Sequence, residues 1–177
     1  DMLLIPDPSA LLTTLSDQTY IGAYVPHNLV LMSDIHRLKY AMYLNNDAYE
    51  ALKKMIDAMP NEIANDFYVK EAYTSFTDLQ YSNPNLAGKD ERQLGHTVSI
   101  ASKSIAYHEF ETAALSQWLE AHSYEYGFIL RYPKRMASST NHVYDAHYYR
   151  YVGKKNANKI YKENSCIEEY NQKEAAE

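Results

Sequence analysis

Apolar residues in this 177-residue chain recur with two different periods. Ala48, Leu52, Met55, Ile56 and Met59 follow one another at three- and four-residue steps, which puts them on one stripe of a helix about three turns long. Asn45 and Asn46, good N-cap types, precede that stripe, and Pro60 ends it because proline cannot continue the helical hydrogen-bond ladder. A second stripe, Leu115, Trp118, Leu119, His122 and Tyr126, predicts a helix over Glu109 to Tyr126 with Gly127 as its stop. Strand-forming residues concentrate in 67–73, alternate in 97–101, and return in two short runs around 128–131 and 148–152. Ser82-Asn83-Pro84-Asn85, with Gly88 behind it, predicts a surface loop. Residues 1–36 interrupt short apolar runs with Pro6, Pro8 and Pro26, as expected of an extended arm laid over a core, and residues 154–177 read as a charged helical tail. The expected architecture is α+β: one compact domain over 1–177, a small antiparallel sheet packed with helices, and no internal repeat.

Composition narrows the partners. With 46% hydrophobic residues the chain can build one real core, and it is too short for two. A net charge of −6 gives no basic footprint for nucleic acid and would be repelled by an anionic membrane surface. No run of about 18 apolar residues is present, so direct membrane insertion by this segment is not expected. The start, Met2-Leu3-Leu4-Ile5-Pro6, lacks the basic stretch and long apolar run of a signal peptide; a chain opening on Asp1 reads as a mature ectodomain or a trimmed chain. The single Cys166 excludes an intrachain disulfide, which fits a cytosolic protein or a Gram-positive exported one. Eighteen tyrosines suit half-buried surfaces and grooves, and most are expected to pack.

Several short motifs, in order, resemble one family. Tyr24-Val25-Pro26-His27-Asn28-Leu29 is similar to a Tyr-x-Pro-x-x-Leu arm, and Ala72-Tyr73-Thr74-Ser75 with Gln80 to a Gly-Tyr-Arg-Ser strand end. Trp118 to His122, leading into Gly127-Phe128-Ile129-Leu130-Arg131-Tyr132-Pro133, resembles a helix-to-strand passage; Arg150-Tyr151-Val152-Gly153, then Ile160-Tyr161 and Ile167 to Tyr170, resembles a C-terminal helix. Together these matches resemble the VanY-type D-alanyl-D-alanine carboxypeptidases, zinc peptidases that trim peptidoglycan stems, and they run through nearly the whole chain. The resemblance implies the VanY/hedgehog-like peptidase fold and a location outside the cytoplasm, in the bacterial envelope.

At the family's chemical motifs the sequence departs. Aligned on Gly95, the metal motif S-x-H-x-x-G-x-A-x-D falls on Asp90 to Ser99, so that Arg92 stands where the family has its histidine ligand and Ser99 where it has its aspartate. Counting back from Arg150, the E-x-W-H motif leaves Asp145 at the base position, His147 at the tryptophan position and Tyr148 at the last ligand position. The arginine that meets the substrate's charge in the family falls on Thr74. Catalytic zinc takes histidine or carboxylate ligands and leaves one position open for water. Arginine has no lone pair to give, serine is a poor ligand, and tyrosine would have to ionise from a pKa near 10. Zinc is therefore expected to be absent.

Three histidines near the motifs, His96, His142 and His147, could form a slipped site, but a one-residue shift in a strand turns a side chain to the opposite face, so packing roles are expected. His108 and His122 read as structural, and Ser99 lacks the elbow sequence of a serine nucleophile. The expectation is a catalytically degenerate VanY-like domain, binding a peptidoglycan stem peptide or an envelope protein partner through a groove of Thr74, Ser75, Gln80, Arg92, Ser99, Arg131, Asp145 and Tyr148. Arg92 is expected to replace the metal's charge and to pair with Asp145, directly or through Tyr148 or water. The alternative is a zinc-dependent D,D-carboxypeptidase with an aberrant metal site.

Overall fold

The computed structural model describes residues 2–177; Asp1, the first residue of the predicted arm, lies outside the described residues. The arm carries three short strands, β1 (Leu3–Leu4), β2 (Thr19–Tyr20) and β3 (Leu29–Leu31), and is otherwise irregular. It leads into β4 (Tyr43–Asn45), α1 (Asn46–Ala58), α2 (Asn61–Asp66), β5 (Phe67–Glu71) and α3 (Phe76–Ser82). The second half contains β6 (Thr97–Ser102), α4 (Ala114–His122), β7 (Phe128–Tyr132), α5 (Ala137–Thr140), β8 (Asp145–Tyr151), α6 (Lys154–Lys162) and α7 (Ile167–Ala176). Among the described residues the main sheet is four-stranded and antiparallel in the order β5-β6-β8-β7. The α+β expectation holds.

The helix begun by Asn45 forms as its pattern predicts: the Asn45 side chain accepts from the Ala48 amide at 3.1 Å, and Ala48, Leu52 and Met55 are buried. The stripe packs on one face of the sheet, where Phe67, Val69, Val98, Ile100, Phe128 and Tyr149 join Leu115 and Leu119 of α4 in the principal core. The predicted helix over Glu109 to Tyr126 is divided. A 3-10 segment, Tyr107–Thr112, precedes an extended Ala113, α4 follows, and a second 3-10 turn, Ser123–Tyr126, runs into Gly127. The break allows Phe110 to turn into the core and stack on His147, ring centroids 4.5 Å apart. Gly127 has φ +90°, and a Cβ there would lie 2.8 Å from the Tyr151 ring, so both the turn and the close approach require glycine. The strand expected to reach Tyr73 ends at Glu71, α3 begins behind the cap Ser75, and the charged tail is two helices rather than one.

The other face of the sheet is largely polar and nonetheless covered, in part by a smaller apolar cluster of Ile129, Val152, Ile160 and Ile167. Arg131 of β7 and Arg150 of β8 are almost wholly buried there, and both donate to the buried carboxylate of Glu91. Arg131 makes two parallel bonds to Glu91 at 2.9 and 2.8 Å and two more to Glu168 of α7 at 2.8 and 2.6 Å. Arg150 uses its remaining Nη2 donors on the carbonyls of Leu11 and Thr13, and the Leu15 amide reaches Glu91 at 3.3 Å. Arm, sheet and C-terminal helix thus meet on one charged cluster. Arg131, expected in the groove, belongs to this cluster instead; all its bidentate capacity is spent on structure.

Burial alone would raise the Glu91 pKa, but the charges of Arg131 and Arg150 outweigh it and hold the group at about 2. A carboxyl whose folded pKa lies below its unfolded value stabilises fully above the unfolded pKa, about 4.5, and loses that contribution as pH falls through the folded one. Acid titration followed by circular dichroism should show cooperative loss of stability between about pH 4.5 and 2. Glu91→Gln should lower unfolding stability at neutral pH by about 3–5 kcal/mol, the cost of leaving buried charges unpaired, and should flatten that acid dependence.

Candidate functional site

The register of the central strands sets three side chains in a row. Glu71 of β5 pairs with Ser99 of β6, and Ser99 pairs with Tyr148 of β8. Simple alternation along β5 would send Glu71 to the core side with Phe67 and Val69, but the register shifts between Val69 and Glu71. Lys70 is the extra residue, and the bulge turns Glu71 to the polar face. Above the row runs the 3-10 turn Glu91–Leu94, capped by the Asp90 side chain on the Arg92 amide at 2.9 Å and ended by Gly95 at φ +83°. A Cβ on Gly95 would come within 3.1 Å of Pro26, so this glycine also lets the arm close over the turn.

Arg92 descends from that turn onto the row. Its Nε and Nη2 donate to the two oxygens of Asp90, each at 2.9 Å, and Nη1 donates to Glu71 Oε2 at 2.8 Å. The same Glu71 oxygen accepts from the Tyr148 hydroxyl at 2.7 Å. Ser99 lies between Glu71 and Tyr148, fully buried, its hydroxyl without a hydrogen-bond partner. Burial works against the Arg92 charge, but Asp90 and then Glu71 hold it firmly protonated. Burial likewise lifts the Tyr148 phenol well above its ordinary pKa, with the charge of Arg92 opposing, so Tyr148 is a neutral donor here.

Arg92, Ser99 and Tyr148 therefore come together as expected, but the carboxylates that receive Arg92 are Glu71 and Asp90 rather than Asp145. Asp145 accepts from the His147 amide at 2.9 Å and borders a separate depression beside Tyr107 and His147. Its displacement follows from an irregularity in β8, which pairs Asp145 with Tyr132 although Tyr149 already pairs with Leu130. Thr74 donates its amide to the Arg92 carbonyl at 3.2 Å, and Ser75 caps α3 by accepting from the Asp78 amide at 3.1 Å. Gln80 is exposed on α3 and borders neither of the two cavities at Arg92. Neither Glu71 nor Asp90 was singled out in the sequence; Asp90 could have been, as an N-cap type two residues ahead of Arg92.

The three histidines do not converge. His147 is clamped between the rings of Tyr107 and Phe110 on the core side, with its nitrogens 2.7 and 2.9 Å from the carbonyl oxygens of Ile100 and Tyr107. His96 is buried beside Arg150, and burial followed by that charge holds its pKa down to about 3. His142 is exposed and stacks on Tyr132. Among the described residues no three His, Cys, Asp or Glu side chains form a group able to hold a metal ion. The row itself does not suit zinc: a guanidinium offers no lone pair, a neutral phenol and a hydroxyl are poor donors, and the nearby carboxylates are engaged by Arg92. What the row can do is present fixed hydrogen-bonding groups to a cavity of about 310 Å³ bounded by Arg92, Tyr148, Tyr132, His142 and, from the arm, Leu15 and Ser16.

Comparison with known proteins gives this geometry a lineage. Residues 77–154 match the family model of VanY, D-alanyl-D-alanine carboxypeptidase. The Bacillus subtilis protein YodJ, named only provisionally as a carboxypeptidase, is 28% identical over 191 residues, covering 96% of this chain and 70% of its own length. A D-alanyl-D-alanine carboxypeptidase of Enterococcus faecalis is 34% identical over 124 residues, covering 69% of this chain; the match spans 44% of that relative's length. Among solved structures, the LD-carboxypeptidase LdcB superposes with a TM-score of 0.86 at 27% identity, over 97% of this chain and 90% of that one. The chain belongs to the VanY-like family of peptidoglycan-related carboxypeptidases.

Proposed function

We propose that this domain binds a peptidoglycan stem peptide in the cavity beside Arg92 and does not hydrolyse it by zinc chemistry. The observation that carries this reading is the closure of the Arg92 fork on Asp90 and Glu71, with Tyr148 on the same Glu71 oxygen. A permanent cation satisfied by two carboxylates leaves a dication neither its donors nor a favourable field. Binding can outlast chemistry, because a fold and the site it carries are separable. The names of the relatives support the ligand class: one is a D-alanyl-D-alanine carboxypeptidase, and LdcB is described with peptidoglycan recognition. Such a ligand places the domain on the outer side of the bacterial membrane. Among the described residues no helix is long and apolar enough to cross a membrane.

The affinity is modest. Arg92, Asp90 and Glu71 together leave the row with an excess negative charge, which works against a peptide's terminal carboxylate. An envelope protein docking in the same cavity is the other occupant to be tested.

Elemental analysis after incubation with excess zinc and desalting should find far less than one zinc per chain; one tightly held zinc would sink the reading. Release of D-alanine from a stem pentapeptide should stay at the no-enzyme background, and a chelator-sensitive turnover would instead establish a zinc D,D-carboxypeptidase. A soluble stem peptide should bind with an affinity between about millimolar and micromolar, or about −4 to −8 kcal/mol, nearer the weak end. Chemical-shift changes should map to Arg92, Tyr132 and Tyr148. Their absence would favour a protein occupant.

A further inference from the structure

A second and larger groove, of about 620 Å³, opens on the other side of Arg92, between the start of β4, the end of β5 and α3. Its walls are unusually aromatic for so open a surface. Tyr43 and Tyr81 are 43% and 95% exposed, and Tyr73 lies half-buried on the same groove. The platform is fixed from below: the Tyr73 amide donates to the Tyr43 carbonyl at 3.0 Å, and α3, which carries Tyr81, starts from the Ser75 cap. Small polar groups, Ser75 and Ser82, stand at the edges. Among the described residues its lining carries Lys39, Lys70 and Arg92 against Glu71 and Asp78, and Asp90, paired with Arg92, brings the charges level.

Each property selects for ligand chemistry. Exposed rings with polar tips favour a ligand that is apolar on its faces and polar at its rim. A balanced charge gives no attraction to a polyanion. The volume suits a ligand of drug size, comparable with a short oligosaccharide. A pyranose ring has C–H faces and a rim of hydroxyl and amide groups. We propose that this groove is a binding subsite for a neutral β-linked chain of N-acetylated amino sugars, with Tyr43 and Tyr81 stacking on the sugar faces. The inference rests on the peptidoglycan reading for its biological source, because peptidoglycan joins such a chain to the peptide assigned to the neighbouring cavity, and Arg92 is the wall the two cavities share.

Two probes separate the two assignments. Titration of tri-N-acetylchitotriose, which has no peptide, should give saturable chemical-shift changes at the groove, and Tyr43→Ala and Tyr81→Ala should each weaken its binding by about tenfold. Both residues are on the surface, so the variants are expected to fold; Tyr161→Ala, which removes an exposed ring from α6, should bind as the unaltered protein does. No saturable binding by about 10 mM, or binding indifferent to both tyrosine changes, overturns the sugar subsite. A sugar-free stem peptide should bind equally well to Tyr81→Ala and to the unaltered protein. Tyrosine-dependent sugar binding without peptide binding would uphold this subsite and defeat the peptide reading; the reverse result would do the opposite.

Discussion

Glu91 is the constraint on which the rest of the molecule depends. Local propensity gives no reason for an arm rich in irregular turns, two sheet strands and the last helix to meet, and their common partner is one buried carboxylate with two arginines. Removing three charged groups from water is expensive, and the expense is offset only where nearly every lone pair and donor finds a partner. Arg131 comes close to that condition through four bonds to two carboxylates, and Arg150 through Glu91 and two arm carbonyls, although its Nε remains without a partner. The cluster also sets the site. Glu91 and Arg92 are consecutive in one 3-10 turn, so anchoring the first inside the protein aims the second at the row of Glu71, Ser99 and Tyr148.

The parts of this arrangement that were legible in the sequence are those governed by local rules. The α1 stripe and its asparagine cap follow from spacing alone, and the register through Gly95 and Arg150 was enough to bring Arg92, Ser99 and Tyr148 together. Glu71 was hidden because its position depends on a bulge at Lys70, and a bulge reverses every alternation argument downstream of it. Asp145 was misplaced for a related reason: counting along β8 assumes a uniform strand, and the pairing slips between Tyr149 and Asp145. Arg131 shows a different limit. A long charged residue beside a motif reads the same whether it lines a groove or neutralises a buried acid, and the partner that decides, Glu91, is forty residues away. The division of the helix expected over Glu109 to Tyr126 was equally non-local, since Phe110 leaves the helical path to cover His147.

The chemistry of the row follows from the difference between a guanidinium and a metal ion. A dication gathers donors from several directions and acidifies what it binds. Arg92 can only donate, in a plane, and it consumes the acceptors around it. Tyr148 stays neutral and donates to a carboxylate already facing Arg92, so no group in the row is left as a free base with a nucleophile beside it. Because the arginine is charged at every physiological pH, base cannot reopen the arrangement, whereas a competing carboxylate or a substitution can. The same bonds hold the row in place as a polar wall shared by two cavities.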